Sequence, residues 1–214
     1  MGAGKSSFIN SIEFAYKGER SQPTRSTGDI TGGDTMPRSC LHLTPNIHLF
    51  DNRGMKDFDL SYVDRFMNEI SDKKEEEGSS DATRRLLDEE IIDCAVFVYK
   101  HSDSIKKEAA VKFLSEFATK LQENTGYPPM LVITHADSLS TEDKRDLKES
   151  FTTHCDEVWF FENCTKSIEK KKKSVEFLKF LKTALHRCDA SRRDVAIVNI
   201  ERQKKNRKPP KSVF

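Results

Sequence analysis

Three consecutive residues near the start of the chain, Gly4, Lys5 and Ser6, are able to bind the phosphates of a nucleotide. In a phosphate-binding loop, backbone N–H groups and the positive end of a helix face the phosphates, and glycine permits a close backbone approach. The lysine neutralises phosphate charge, and the hydroxyl after it ligates Mg²⁺. A short motif of this kind also occurs at ordinary helix starts. The predicted loop residues are Gly2, Ala3, Gly4, Lys5, Ser6 and Ser7.

The motif is incomplete at its amino-terminal end. The full pattern, G-x-x-x-x-G-K-[ST], has a glycine five positions before the second glycine. The sequence begins three positions before Gly4, and the strand that should precede the loop is absent from it as well. We therefore expect either a piece of a longer protein or a degenerate nucleotide-binding site.

A polar segment follows the predicted helix that starts at the loop. Residues 19–37 are rich in Ser, Thr, Gly, Asp and Pro, a composition typical of a long loop. In GTPases the first switch lies at this place, and a threonine hydroxyl there closes on Mg²⁺ and the γ-phosphate. Thr31 and Thr35 are both candidates, and we favour Thr31 because it begins a flexible Thr-Gly-Gly sequence. A solvated loop without a ligand is the alternative.

A further candidate metal ligand, Asp51, follows a predicted β-hairpin. The hairpin has strands at 39–43 and 47–50, joined by the turn sequence Thr-Pro-Asn. Asp51 and Gly54 form the D-x-x-G pattern, in which the aspartate holds Mg²⁺ through water and the glycine N–H contacts the γ-phosphate. The alternative is an ordinary turn after a strand.

The residue after Gly54 is Met55. In Ras-like GTPases a glutamine at this position orients the attacking water, and a methionine side chain cannot do so. We therefore predict that any GTP hydrolysis is slow, or that it depends on a residue supplied by a partner, and we assign no catalytic residue.

The sequence Thr134-His135-Ala136-Asp137 follows another predicted strand. In GTPases the pattern [N/T]-K-x-D lies here, and its aspartate accepts hydrogen bonds from guanine N1–H and N2–H₂. We predict that Asp137 selects guanine, that Thr134 braces the phosphate loop, and that the His135 ring stacks on the base in place of the lysine. Asp137 and Ser138 are also typical helix-capping residues, so a cap is the alternative.

The predicted elements bring these segments to one edge of a sheet. Apolar runs at 91–99, 130–133 and 157–161 predict buried strands, and the helix between the first two predicts a parallel βαβ unit. Ligands of open α/β sheets bind at the carboxyl ends of the strands. After the last strand, Asn163 and Cys164 are weaker candidates for a backbone contact to guanine O6. The predicted buried helix positions are Ala109, Val111, Phe113, Leu114, Phe117 and Leu121, then Val175, Leu178, Leu181 and Leu185 in the closing helix 174–188.

Composition excludes several classes of protein. With 36 Lys and Arg against 35 Asp and Glu, the net charge of +1 gives no overall field for nucleic acid or an anionic membrane. No apolar run approaches the roughly 20 residues of a membrane span, and no signal peptide is visible. The five cysteines are odd in number and scattered, which favours a reducing cytoplasm over a disulfide framework. His154, Cys155 and Cys164 lack the spacing of a zinc motif.

The chain resembles the GTPase-like domain of the interferon-induced protein 44 family over roughly residues 2–190. The resemblance rests on GAGKSSFINSI, the TGG of the switch loop, D-x-x-G before an apolar residue, IIDCAVFVY and, above all, LVITHADSL, since a histidine replaces the usual lysine in that family too. It implies a cytoplasmic guanine nucleotide-binding protein linked to interferon or immune responses. Family members have the first strand and first loop glycine that this sequence lacks.

We therefore predict an α/β fold, a three-layer P-loop G domain over residues 1–190 with a mostly parallel sheet, its first strand missing or truncated, and a basic tail at 191–214. The favoured function is a GTP/GDP switch with Mg²⁺ held by Ser6, Thr31 and Asp51. A pseudo-GTPase interaction scaffold is the alternative, and a P-loop ATPase or kinase is disfavoured by the THAD sequence. The expected partner is guanine nucleotide, with a homo-oligomer or a protein effector left open, and without a specific nucleic acid or a transmembrane segment.

Overall fold

The structure is a computed structural model that describes residues 3–18, 39–52, 57–71, 92–101, 104–162 and 174–191. Several predictions fall outside these ranges, namely those for Gly2, Thr31, Thr35, Gly54, Met55, Asn163 and Cys164, and most of the basic tail.

Three parallel strands form the main sheet. In chain order they are β3 (Val96–Lys100), β4 (Met130–Thr134) and β5 (Val158–Phe161), and β4 lies between the other two. Val132 of β4 is level with both Val98 and Trp159. The helix α3 (Ser104–Thr125) connects β3 to β4, so the predicted parallel βαβ unit is confirmed.

The predicted β-hairpin is also confirmed, and it forms a sheet of its own. Strand β1 (Ser39–Thr44) pairs antiparallel with β2 (Ile47–Asp51), with Leu41 opposite Leu49 and His42 opposite His48. At the turn, the backbone N–H of Asn46 donates to the Thr44 hydroxyl at 3.2 Å. A threonine hydroxyl that accepts from a nearby backbone N–H is a common way to fix such a turn.

Five helices surround the strands in the described part of the chain. The first, α1 (Lys5–Lys17), ends at Gly18, whose φ of 78° is the left-handed conformation that favours glycine at a helix end. The others are α2 (Ser61–Ser71), the connecting helix α3, α4 (Thr141–Phe151) and α5, residues 174–191.

Buried side chains lie on both faces of the main sheet. In β4, Leu131 and Ile133 pack against helices α2, α3 and α4, whereas Met130 and Val132 pack on the side of α1 and α5. All of these β4 side chains are fully buried. The cluster on the side of α1 and α5 also includes Leu43 of the hairpin, so the hairpin shares this core with both helices. Helices therefore cover both faces of the parallel sheet, as its near-continuous apolar strands predict.

The structure corrects three expectations about elements. Strand β3 begins at Val96, not at residue 91, because its pairing with β4 starts there, opposite Met130. In α3, Ala109 is exposed and Ala110 is buried instead. In α5, Val175 and Leu178 are 52% and 39% exposed, because the rings of Phe177 and Phe180 occupy the core. The other predicted buried positions of α3 and α5 are buried or partly buried, namely Val111, Phe113, Leu114, Phe117, Leu121, Leu181 and Leu185.

Among the described residues, no helix combines the length and apolar character that crossing a membrane requires.

Candidate functional site

The amino-terminal turn of α1 carries the predicted phosphate-binding residues. Gly4 precedes the helix with φ 79° and ψ 19°, a left-handed conformation that glycine adopts without strain, and its carbonyl accepts the first helical hydrogen bond, from Phe8 N–H at 2.8 Å. No side chain caps this end of the helix. The N–H groups of the first turn, at Lys5, Ser6 and Ser7, therefore have no intrahelical acceptor and are available to an anion.

Two predicted metal ligands that are far apart in the sequence meet at this turn. The Ser6 hydroxyl donates a hydrogen bond to Asp51 Oδ2 at 2.5 Å, across a separation of 45 residues. Such a length lies at the short end of the range for a hydroxyl donating to a carboxylate. Asp51 reaches Ser6 because it lies on the same face of β2 as Leu49, the face that packs on α1. Two residues that the sequence predicted to be ligands of one metal ion are therefore in direct contact.

Lys5 lies in the same cluster. Burial lowers the pKa of its ammonium group below the ordinary value, and the nearby carboxylate of Asp51 opposes that shift. Desolvation is the larger of the two effects, so the cation is not fully compensated by its neighbour. A partly buried cation beside unpaired helix N–H groups is an arrangement that favours a negatively charged ligand.

The loop after β4 is tied to the loop before α1. Thr134, which is buried, donates its hydroxyl hydrogen to the carbonyl of Ala3 at 2.7 Å. His135 Nδ1 lies 3.1 Å from the same hydroxyl oxygen. Because the threonine hydrogen is already donated, Nδ1 must carry a proton and donate to Thr134. The result is a short chain of hydrogen bonds from the His135 ring to the phosphate loop.

Backbone conformation at His135 turns the chain away from β4. Its φ of 57° and ψ of 36° lie in the left-handed region, and it is the one non-glycine residue with positive φ in the described part of the chain. Such conformations are uncommon and cluster at functional sites. A single 3₁₀ turn, Ala136–Ser138, follows and places Asp137 in solvent.

Asp137 does not cap the next helix. The cap of α4 is Ser140, whose side chain accepts from the Asp143 N–H at 3.0 Å, while the Asp143 carboxylate accepts from the Ser140 N–H at 3.0 Å. These hydrogen bonds lower the pKa of Asp143. Ser138 donates its hydroxyl to His135 O at 2.8 Å instead. The structure therefore gives the role of α4 cap to a different residue and leaves the Asp137 carboxylate exposed.

Asn52, directly after Asp51, has a buried side-chain oxygen. Within the described residues this Oδ1 has no hydrogen-bond partner, a feature that it shares with Trp159 Nε1. Leaving a buried polar atom unpaired costs about 1–3 kcal/mol. Such a cost is more often tolerated at functional sites than elsewhere.

Two groups of described residues, those of the phosphate loop with Asp51 and those of the THAD segment, are therefore linked through the Ala3 to Thr134 hydrogen bond. Whether the switch threonine and the D-x-x-G glycine join them lies outside the described residues. One set of ligand-type side chains was missed by the sequence analysis. Cys40, His42 and His48 lie close together on the hairpin, and the signal for them was a Cys-x-His sequence on one strand with a histidine opposite it.

A surface depression of about 630 Å³ lies elsewhere on the molecule. It is lined by residues of α3 together with Leu60, Ser150 and His154, and none of the phosphate-loop or THAD residues borders it. Its mixed lysine and glutamate lining gives no specific chemistry, so we assign it no role.

Comparison of the chain with protein-family models, with curated proteins and with solved structures gave no match.

Proposed function

We propose that this protein is a guanine nucleotide-binding P-loop G domain of the three-layer α/β type, working as a GTP/GDP switch with slow or partner-dependent hydrolysis. The observation that carries the proposal is the 2.5 Å hydrogen bond between Ser6 and Asp51. The P-loop and D-x-x-G patterns require their hydroxyl and carboxylate to meet at one metal. A chance pair of short motifs has no reason to do so.

The cluster around Ser6 suits Mg²⁺ chemically. Mg²⁺ prefers oxygen ligands and is usually bound by one or two protein groups together with substrate phosphates and water. The Ser6 hydroxyl and the Asp51 carboxylate supply such oxygens. When bound, the ion would neutralise part of the phosphate charge. Thr31 would complete the ligand set in this proposal.

Phosphate and base would be held by opposite ends of the site. Lys5 and the first-turn N–H groups of α1 would bind the phosphates, since the lysine is partly buried beside them. The exposed carboxylate of Asp137 would accept from guanine, and His135 would support the base while it braces Thr134. The Thr134 to Ala3 hydrogen bond would fix the distance between the two ends.

The test is isothermal titration of the purified chain with GDP, GTP and ATP in the presence of Mg²⁺. We expect GDP and GTP to bind and ATP to bind at least about tenfold more weakly, because adenine cannot supply the two donors that Asp137 accepts. Asp137→Ala should lower GDP affinity by about tenfold to a hundredfold, since a hydrogen bond to a charged group contributes about 1.5–3 kcal/mol.

The matched control is Glu142→Gln, which neutralises a carboxylate that is 85% exposed on the neighbouring helix. It should leave GDP affinity unchanged. Equal affinity for GDP and ATP in the unaltered protein, or an undiminished guanine preference in Asp137→Ala, would overturn the proposal.

A second candidate function, an interaction scaffold without nucleotide turnover, is favoured by the same cluster. Asp51 accepts the Ser6 hydrogen bond and also lies near Lys5, so the chain itself partly satisfies the site. Heating protein purified from cells and applying the supernatant to an anion-exchange column separates the two functions. Release of guanine nucleotide supports the switch, and its absence together with a failed titration supports the scaffold.

The cellular setting belongs to the same proposal. The resemblance to the interferon-induced protein 44 family suggests a cytoplasmic role in immune responses, with a protein effector or a second copy as partner. The four cysteines that the structure describes are all thiols, which suits a reducing compartment.

A further inference from the structure

We propose that Cys40, His42 and His48 form a binding site for a divalent transition-metal ion of the Zn²⁺ class on the outer face of the β1–β2 hairpin. One ligand atom from each residue lies within 4.8 Å of those of the other two. The site is separate from the phosphate loop, and the inference goes beyond the proposed nucleotide function.

Strand geometry brings the three side chains together. Cys40 and His42 are two residues apart in β1 and therefore project from the same face of the strand. His48 is directly opposite His42 in the antiparallel register, and the two rings lie 4.4 Å apart between centroids. Two strands thus present a thiol and two imidazoles to one point.

The opposite face of the hairpin fixes this orientation. Leu43 is 4% exposed and belongs to the core cluster of α1 and α5, and Ile47 and Leu49 pack against the same cluster. Turning the hairpin over would move these apolar side chains into water, because side chains alternate between faces along a strand. The Cys and His side chains are therefore held on the solvent side by the packing beneath them.

His48 already has the outer-shell contact typical of a metal-binding histidine. Its Nε2 lies 3.2 Å from the carbonyl of Pro45 in the hairpin turn. A carbonyl oxygen accepts and cannot donate, so Nε2 is the donor in this contact and Nδ1 is the nitrogen left for an ion. Metal-ligating histidines usually donate their other N–H to a carbonyl or carboxylate in this way, which fixes the tautomer.

The ligand set selects the ion. Two imidazoles and a thiolate suit Zn²⁺, or copper as a competitor, and they are unsuited to Mg²⁺ and Ca²⁺, which take oxygen ligands. In a tetrahedral zinc site, ligand atoms at about 2.0–2.3 Å from the metal are separated by roughly 3.3–3.8 Å. The present limit of 4.8 Å needs small side-chain rotations, and Cys40 and His42 are exposed and able to make them. Three protein ligands leave a coordination position for water.

Two other thiols of the described chain, Cys94 and Cys155, are poor competitors for the ion. A hydrogen bond with Cys188, together with burial, raises the pKa of Cys94, and burial raises the pKa of Cys155 to about 11. Both stay protonated at neutral pH, whereas a metal ligand must be the thiolate. Cys40 is exposed, so its thiolate would be solvated and accessible.

The test uses the full chain without a polyhistidine tag, freed of metal by chelation and titrated with ZnCl₂ against a chromophoric chelator in the absence of nucleotide. CoCl₂ serves as the spectroscopic probe. We expect a single Zn²⁺ per chain and, with Co²⁺, the visible bands of a tetrahedral site together with a thiolate-to-cobalt charge-transfer band. A tenfold excess of MgCl₂ should not displace either ion.

Three variants and one control make the result specific. His42→Ala and His48→Ala should each lower Zn²⁺ affinity at least about tenfold, and Cys40→Ser should abolish the charge-transfer band. His186→Ala removes an exposed histidine of α5 and should change nothing. These residues lie outside the core, and circular dichroism of each variant verifies folding. Unaltered Zn²⁺ affinity in the histidine variants, or an unaltered cobalt spectrum in Cys40→Ser, would overturn the site, and neither result depends on whether the protein binds GDP.

Discussion

Folding partly removes the ammonium group of Lys5 from water, which disfavours its charged form. Burial lowers the pKa of its ammonium group, and Asp51 compensates for part of that effect. A base whose pKa is lower in the folded than in the unfolded state binds fewer protons when folded. The stability of the fold therefore rises with pH between the lowered pKa and the ordinary value of 10.5.

We predict that Lys5→Met separates ligand binding from stability. In the absence of ligand, the variant should be as stable as the original chain or more stable, because the cost of burying the cation is removed while the apolar part of the side chain is kept. Its GDP affinity should fall about tenfold to a hundredfold, the effect of losing a hydrogen bond to a charged group. Urea unfolding and calorimetric titration measure the two effects.

Comparison of the two proteins between pH 7 and pH 10.5 isolates the titration of Lys5. The cysteines titrate in the same range. The quantity to follow is therefore the difference in unfolding free energy between the original chain and Lys5→Met, which should shrink as the pH rises. The control is Lys182→Met, which removes an exposed lysine of α5. A Lys5→Met variant that is markedly less stable at pH 7 would show that Lys5 supports the fold rather than a ligand.

At the scale of elements, α5 carries two apolar stripes, and only one of them packs into the core. The sequence 174–188 offers Val175, Leu178, Leu181 and Leu185 at helical spacing, and it also offers Phe177 and Phe180 with Leu181. The aromatic stripe is buried. Phe177 stacks on Phe161 of β5 at 4.5 Å between centroids, and such aromatic contacts contribute about 0.5–1.5 kcal/mol beyond the area they bury.

We predict that Phe177→Ala lowers the unfolding free energy by about 3–5 kcal/mol, because it leaves a cavity between α5 and β5. Val175→Ala, two residues earlier on the same helix, should change it by less than about 0.5 kcal/mol, because that side chain is 52% exposed. Urea titrations at equal protein concentration give both values. Similar losses in the two variants would mean that the helix packs through the other stripe.

Much at this scale could be predicted from the sequence. The turn chemistry of Thr44 and Pro45, the glycine that ends α1 and the apolar run of β4 each specify their local structure without long-range information. The start of β3 could not be predicted in the same way, because it is set by the residue at which pairing with β4 begins. The buried stripe of α5 depends on which side chains β5 presents, and periodicity alone does not contain that information.

The features of the candidate site also divide into those that were predicted from the sequence and those that were not. The spacing of Gly4, Lys5 and Ser6 predicted a helix start with bare N–H groups, and that is observed. Thr134 was predicted to brace the phosphate loop from its place in the THAD sequence, and in the structure its hydroxyl donates to the Ala3 carbonyl. The left-handed backbone of His135 could not be predicted, since it arises where β4 ends. The convergence of Cys40 with His48 was missed, because it depends on the register in which the two predicted strands pair.

At the scale of the whole molecule, the two sheets differ in how many strands and helices pack against them. Strand β4 has a neighbour on each side and helices on both faces, and its side chains from Met130 to Ile133 are 0% exposed. The hairpin has only its own two strands within the described chain and an outer face that carries exposed Cys40 and His42. Two-stranded hairpins are marginally stable without further packing.

We predict that the hairpin opens before the main sheet does. Under native conditions, amides of β1 and β2 should exchange with solvent at least about tenfold faster than those of β4, which corresponds to an opening free energy about 1.4 kcal/mol lower. Hydrogen exchange followed by mass spectrometry of peptic fragments measures the difference. Equal protection of 39–51 and 130–134 would mean that the sheets unfold as one cooperative unit.

On one face of strand β2, Asp51 accepts a hydrogen bond from Ser6. On the other face, His48 lies with Cys40 and His42. Two ligands bound on opposite sides of this five-residue strand would share its free energy of ordering, so the two proposed sites would be thermodynamically linked. By linkage, the factor by which the outer ion changes nucleotide affinity would equal the factor by which the nucleotide changes ion affinity. If each ligand orders the strand when it binds, withdrawing the ion would lower the affinity for the nucleotide without any side chain reaching across the strand.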